Sequence, residues 1–204
     1  MPQSLSLRRA PTQARARKTF DSLLVAAAGL LQEVGFEAFT TNLLAARSGI
    51  GIRAIYRYFP NKHALVCELA RQMADRWHAG LAANTSLAEA PWPEVWDRYL
   101  DAYVHAVRET PGGIAVLHAM RAHPELRDVD DDINAVYIAE VAQALRRERP
   151  TLTRMQARLA ATVLLKSTVA IIDAAFDEST ANANRMLAML KSMHTTLLGQ
   201  VLAG

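Results

Sequence analysis

Phe20, Leu24, Ala27, Leu31 and Val34 stand at i, i+4, i+7, i+11 and i+14. That spacing places all five on one stripe of an α-helix. Similar stripes recur along the chain, with no strand-like alternation between turns and no fixed-period repeat. Gly and Pro fall at intervals that fit helix ends. The expected fold is therefore all-α with about nine helices: a three-helix head followed by a larger helical body.

Residues 1–12 lack the apolar period and contain Pro2 and Pro11, so they read as a mobile basic arm. The first helix is expected from about Thr12, as its N-cap, to Gly35. A short second helix fits Thr41 to Ser48, with Leu43 and Leu44 inward and Gly49 after it. The third fits Ile52 to about Tyr58 and ends before Pro60; the fourth is capped by Asn61 and runs from Lys62 to about Ala83. Asn84 to Pro93 reads as a connection. A further helix runs from Trp92 or Glu94 to Glu109 and is broken by Thr110-Pro111-Gly112-Gly113; a shorter one covers Ile114 to Ala122. Pro124 and the acids Asp128, Asp130, Asp131 and Asp132 mark a junction before a helix from about Asp131 to Arg149. Two long helices close the chain, Thr153–Phe176 and Thr180–Leu202. The domains expected are the arm 1–12, the three-helix head 13–62 and a helical body 63–204.

Charge is divided unevenly. Residues 1–65 hold nine Lys or Arg against three acids, net +6, and the remainder holds 14 bases against 17 acids, net −3. A basic first third is the electrostatic pattern of a nucleic-acid-binding head on an unrelated body; a solvated basic surface gives the same count. Apolar residues make up 51% of the chain, enough for a sizeable core. No window approaches a run of about 18 uncharged apolar residues, so no membrane span is expected. Leu5 and Leu7 are followed by Arg8 and Arg9, so a signal peptide is not expected either. The lone Cys67 cannot form an internal disulfide, which fits a cytoplasmic protein.

The two short helices around Gly49 form a helix-turn-helix candidate from Thr40 to Phe59. Ala45 and Ala46 allow close approach, and Gly49 permits a left-handed turn. Ile50, Ile55 and Phe59 can pack against the first helix. That leaves Ile52, Arg53, Tyr56 and Arg57 to meet a major groove. The stretch Thr40 to Leu65, ending Tyr56-Arg57-Tyr58-Phe59-Pro60-Asn61-Lys62-His63-Ala64-Leu65, closely resembles the TetR family of transcriptional regulators. The resemblance covers about residues 14–74, a little under a third of the chain. It is specific, because glycine, aromatics and lysine recur at fixed spacing. It departs from the family pattern at Gly51, where Ser is common, and at Ala54, where Gly or Thr is usual.

The resemblance implies a homodimeric regulator that binds an operator in double-stranded DNA and responds to a small molecule. Thr41, Tyr58 and Lys62 would contact phosphates, Lys62 at a helix start that attracts anions. Tyr56 would contact backbone or base edges, and Asn42, Ile52, Arg53 and Arg57 would reach bases. Arg53 is the side chain expected to read guanine through a bidentate contact. Arg17 and Lys18 would add phosphate contacts. Core packing of Tyr56 and Phe59, and an ordinary solvated role for Arg57, are the plainer alternatives.

The family's body usually forms a ligand pocket and a dimer surface. The segment Ala160 to Phe176 is apolar on most sides and needs partners on more than one face. Pairing it with the last helix, and both with a second chain, would make an intermolecular four-helix bundle through Val163, Val169, Ile172, Phe176, Met186, Leu190, Met193 and Leu197. Burial against their own chain is the alternative. Trp77, Trp96, Tyr99, Tyr103, His118, Met120 and Tyr137 combine apolar bodies with polar tips and are the pocket candidates; each is also an ordinary core residue type. An apolar or amphipathic effector fits them. No cofactor and no metal site is expected: His105 and His118 lack a cluster with ligand spacing, and the acidic run 128–132 lacks the glycine and terminal Glu of a calcium loop and reads as a helix N-terminal charge run.

Enzymatic chemistry finds no support, since no Gly-rich phosphate loop, Ser elbow or paired Cys–His site occurs. The remaining rival is a dimeric helical interaction protein without sequence-specific DNA binding. Arg53, Tyr56, Tyr58 and Lys62 argue against it. For the regulator, repression relieved by ligand is the expected mode.

Overall fold

The computed structural model describes residues 4–84 and 91–203. Among these, nine α-helices follow one another: α1 Ala14–Ala38, α2 Thr41–Ser48, α3 Ile52–Tyr58, α4 Lys62–Asn84, α5 Trp92–Glu109, α6 Gly113–Ala122, α7 Arg127–Glu148, α8 Arg154–Phe176 and α9 Thr180–Ala203. A 3-10 turn, Pro124–Leu126, precedes α7. Residues 1–3 of the predicted arm and 85–90 of the predicted connection lie outside the described residues.

The chain gathers into two compact units, Met1–Arg76 with Val107–Asp130, and Trp77–Ala106 with Asp131–Gly204. Residues 13–62 fall within the first, while 63–204 are shared between the two.

In the first unit, the predicted stripe of α1 is the core: Phe20, Leu24, Ala27 and Leu31 are buried together with Leu23. The helical path breaks at Gly35, whose φ of 69° is open to glycine at little steric cost. The Phe39 N–H then returns to the Gly35 carbonyl at 3.2 Å. The N-cap of α1 is Gln13, without a side-chain bond, rather than Thr12. Opposite α1 lies α6, and the turn before it comes in very close. Gly112 has φ 74°, and a Cβ there would stand 2.5 Å from the Ala28 carbonyl oxygen. Its N–H donates to Gln32 Oε1 at 2.9 Å, so glycine is required at this contact for both space and conformation.

Around Phe36, just past the break, three segments meet. His123 packs on its ring at 4.0 Å and His63 meets it edge-on at 5.3 Å. His63 Nε2 lies 3.0 Å from Glu125 Oε1, and His123 Nε2 lies 3.5 Å from Glu37 Oε1. The Glu125 carboxyl is held below its usual value, chiefly by a hydrogen bond from its own backbone N–H, with His63 adding to the effect.

The second unit is built on the α8–α9 pair, which buries Ala157, Ala161, Leu164 and Ile172 against Ala183, Leu190 and Leu198. Thr153 and Gln156 close a capping box at the start of α8. His194 is fully buried, and Trp96 Nε1–H donates to its Nδ1 at 2.8 Å. The imidazole therefore carries its proton on Nε2, which donates to Ser167 Oγ at 2.8 Å, and the Ser167 hydroxyl donates to the Val163 carbonyl at 2.6 Å. Burial pushes the His194 pKa down to about 4, consistent with that neutral form.

The start of one helix needs correction. Helix α7 begins at Arg127, not Asp131, because the 3-10 turn feeds straight into it. Asp128 and Asp130 lie in its first turn, where the helix dipole favours acids, as a helix N-terminal charge run does. Helices α1 and α8 are each long and apolar enough, by length and composition alone, to cross a membrane, although charged residues interrupt both, Asp21 and Glu33 in α1 and Lys166 and Asp173 in α8. Both carry large buried faces in helix packing, which places the same composition in a protein core.

Candidate nucleic-acid interface

The head is assembled by local rules. Thr40 Oγ1 accepts the Leu43 N–H at 3.1 Å and caps α2. Gly49 follows α2 in the left-handed conformation, φ 68°. Ser48 Oγ then accepts the Ile50 N–H at 3.2 Å across the turn. Gly51 precedes α3 with no side chain to cap it, as its replacement of the usual Ser implies.

Aromatic packing fixes how α3 is turned. Phe20 stacks on Phe59 at 5.4 Å and meets Tyr58 edge-on at 5.2 Å. Ile55 and Phe59 are fully buried beside Leu44, while Leu43 and Ile50 are half-buried. Each of the fully buried Leu44, Ile55 and Phe59 stabilises the head by roughly 1.5–3 kcal/mol. With the inner face of α3 committed, Arg53, Tyr56 and Arg57 are exposed on the outer one and Ile52 is half-buried.

The other predicted DNA-contact residues divide clearly. Arg17, Lys18 and Asn42 are exposed. Thr41 is buried, and its hydroxyl lies 3.0 Å from the Tyr56 hydroxyl, so this pair orients the exposed tyrosine ring. Tyr58 is a core residue whose hydroxyl donates to the Ala16 carbonyl at 3.4 Å. Lys62 Nζ donates to the Phe36 carbonyl at 3.0 Å and sits 4.3 Å above the Phe36 ring. The lysine thus satisfies a carbonyl in the last turn of α1, which has no partner further along the helix, and ties α4 to α1. Asn61 caps α4 as predicted, its Oδ1 accepting the Ala64 N–H at 2.8 Å.

Sequence reasoning missed the placement of the arm. The Arg8 N–H donates to the Tyr58 carbonyl at 2.8 Å, and its guanidinium to the Tyr56 carbonyl at 3.3 Å. Alternation of half-buried Leu5 and Leu7 with exposed Ser4 and Ser6 was the signal available.

Among the pocket candidates, the structure brings together the aromatic residues of one face of α5. Trp96 and Tyr99 stack at 4.9 Å, Tyr99 and Tyr103 at 6.4 Å, and Trp77 meets Tyr103 edge-on at 5.8 Å. Trp92, not predicted, extends the column at 6.4 Å from Trp96. Burial, aided by Tyr103, Tyr137 and Glu140, pushes the Tyr99 phenol far above its ordinary range and keeps it protonated. Tyr137 is buried in the same unit; His118 and Met120 belong to the other unit. Cys67 is buried on α4, and desolvation pushes its thiol up to about 11, leaving it protonated and a poor nucleophile at neutral pH.

Of the predicted dimer residues, Val163 and Met193 are exposed, and Val169, Phe176, Met186 and Leu197 are half-buried. Ile172 and Leu190 are buried within their own unit. Met155, Leu159 and Met189 are exposed and were not singled out. Met155, Leu159 and Val163 form one ridge at i, i+4 and i+8 along α8.

Residues 23–69 match the family model for bacterial regulatory proteins of the tetR family, and residues 91–198 match the model for a tetracyclin repressor-like C-terminal domain. Solved structures agree in fold. A TetR-family transcriptional regulator from Pectobacterium atrosepticum superposes with a TM-score of 0.72 at 19% identity, covering 95% of this chain and 98% of that one. One from Streptomyces coelicolor gives 0.63 at 22%, with 89% and 98% covered. The fatty acid degradation regulator FadR from Bacillus halodurans gives 0.70 at 15%, with 93% and 97% covered. The search of curated proteins found no match.

Proposed function

Because the chain belongs to the TetR family of bacterial regulatory proteins, and so is a DNA-binding transcription regulator, we propose that it represses genes in the cytoplasm as a homodimer on a palindromic operator. The observation that carries this reading is the division of α3: Ile55, Tyr58 and Phe59 are buried, while Arg53, Tyr56 and Arg57 are exposed. A helix so turned offers its outer side chains to a major groove. Arg53 reads guanine, helped by Ile52, Arg57 and Asn42. Tyr56, oriented by Thr41, meets backbone or base edges, and Arg17 and Lys18 hold phosphates. Tyr58 and Lys62 act mainly through the positions they give α3 and α4.

A two-fold operator needs two heads. The ridge Met155, Leu159 and Val163, with Met189 and Met193, supports pairing of α8 and α9 with the same helices of a second chain. A groove of about 530 Å³ lined by Leu152, Leu159, Val163 and Leu197 continues that apolar surface. The effector is an apolar or amphipathic small molecule, for which the aromatic column of α5 supplies matching chemistry. Bound effector favours a different spacing of the heads, and α4, which starts at Lys62 beside the reading helix, carries the movement. A coupling of about 1–3 kcal/mol lowers operator affinity roughly 5- to 150-fold.

The test is a fluorescence-anisotropy titration of the protein on the DNA upstream of its own gene, against scrambled DNA, at two salt concentrations. Tight binding that prefers the native sequence, and loses that preference in Arg53→Ala at a cost of about 1–3 kcal/mol, is expected. Equal, wholly salt-driven binding of both DNAs by wild type and variant would refute the assignment of α3 as the reading helix.

A further inference from the structure

The segment ahead of α1 is a built part of the head. Residues 4–12 are non-helical, with Leu5 and Leu7 half-buried. Three hydrogen bonds hold it across the end of α3 and the start of α4. These are Arg8 N–H to the Tyr58 carbonyl at 2.8 Å, Arg8 Nη1 to the Tyr56 carbonyl at 3.3 Å, and Asn61 Nδ2 to the Ser4 carbonyl at 3.2 Å. Arg8 and Arg9 are exposed there, and no acid precedes Asp21 in the chain.

We propose that this arm is a second DNA contact, placing Arg8 and Arg9 in the minor groove beside the major groove that α3 occupies, with a preference for A·T pairs. The proposal rests on the reading of α3 as the major-groove helix. With α3 in that groove, its Tyr56–Tyr58 end approaches the sugar-phosphate ridge bordering the groove. A segment crossing that end is positioned to pass over the ridge into the adjoining minor groove. That groove, about 6 Å wide, excludes a helix but admits an extended chain and arginine side chains. Narrow A·T tracts have an enhanced negative potential that attracts inserted arginine. Capping of the α3 carbonyls accounts for the bonds of Arg8 alone. It gives no role to Arg9, which leaves an exposed cation beside the one that anchors the arm.

The experiment is a selection from a library of random duplexes with wild type, Arg9→Ala and the Arg8→Ala/Arg9→Ala double variant. Anisotropy follows on the selected duplex carrying A·T or G·C pairs in its flanks. All three proteins are expected to enrich the same centre, and wild type alone to enrich A·T flanks fully. Each arginine removed should weaken binding to the A·T-flanked duplex about fivefold and lower the salt slope by about one. A flank preference identical in wild type and double variant would overturn the proposal. So would an equal loss of affinity on both flanks, which would make the arm a phosphate contact only. Failure of wild type to enrich any centre would instead overturn the reading of α3, and the minor-groove assignment with it. Arg9→Ala keeps all three arm hydrogen bonds, so a loss of flank preference in that variant is not a folding effect.

Discussion

The outer face of α3 and the outer face of the α8–α9 pair are uncovered to a similar degree, with Tyr56 39%, Val163 51% and Met193 47% exposed. Their chemistry is opposite. One presents Arg53, Tyr56 and Arg57, the other Met155, Leu159, Val163, Met189 and Met193. Water tolerates the first face readily, since its charged groups stay hydrated. The second keeps contiguous apolar area in water, which soluble proteins do chiefly where another protein covers it. Exposure alone therefore does not identify a partner; exposure together with the cost of staying wet does.

The strongest test of that contrast is to make the apolar face resemble the polar one. Leu159→Glu places a charge in the middle of the α8 ridge, where pairing of two chains would have to desolvate it. Sedimentation is expected to show monomers. Operator affinity should fall about 10²- to 10⁴-fold as the two heads lose their linkage, while circular dichroism stays unchanged. A dimeric variant with unaltered affinity would remove α8 from the interface.

A smaller effect is expected from Gly112→Ala, which touches neither exposed face. The new Cβ would meet the Ala28 carbonyl at 2.5 Å in a conformation, φ 74°, that alanine resists. The variant should lose about 3 kcal/mol of stability in the unit that holds the head, read as a lower midpoint in thermal or urea unfolding. Dimerisation in the native range should persist. A neutral result would mean that α1 and α6 can separate at little cost.

The smallest effect concerns the support beneath the apolar face. The His194 pKa falls from 6.5 to about 4 on folding, so the folded state binds this proton less readily than the unfolded chain. The neutral imidazole thus contributes its full stability above pH 6.5, and the contribution is lost as pH falls toward 4. Urea melts across this window should show a loss of about 2 kcal/mol in wild type that is absent from His194→Gln. Parallel pH profiles for the two proteins would show that His194 is not the titrating group.

How much of this was legible in the sequence depended on the range of the interaction. The bounds of α2 and α3 and the start of α4 agree with expectation because Thr40, Gly49, Pro60 and Asn61 act on their neighbours. The start of α7 lies ahead of the expected Asp131 because the 3-10 turn at Pro124 leads directly into the helix, and the acids form the N-terminal charge run expected of them. In the candidate site, Arg53 and Arg57 were legible from the apolar period of α3, which leaves them outside. The ties of Tyr58 to Ala16, of Lys62 to Phe36 and of Arg8 to Tyr56 span 42, 26 and 48 positions, and no local pattern encodes them.

By itself the sequence determined an all-helical chain, the helix-turn-helix with its basic outer face, and a family resemblance carried by glycine, aromatics and lysine at fixed spacing. Helix periodicity, caps and turn glycines act within about one turn of the chain, so they can be read in order. Tertiary structure alone decided that Tyr58 is core, that Lys62 closes the end of α1, that the arm lies across α3, and that Met155, Leu159 and Met189 stay uncovered. These outcomes depend on which distant backbone group or apolar face lies alongside to satisfy a donor or exclude water, and only the packed fold supplies that neighbour.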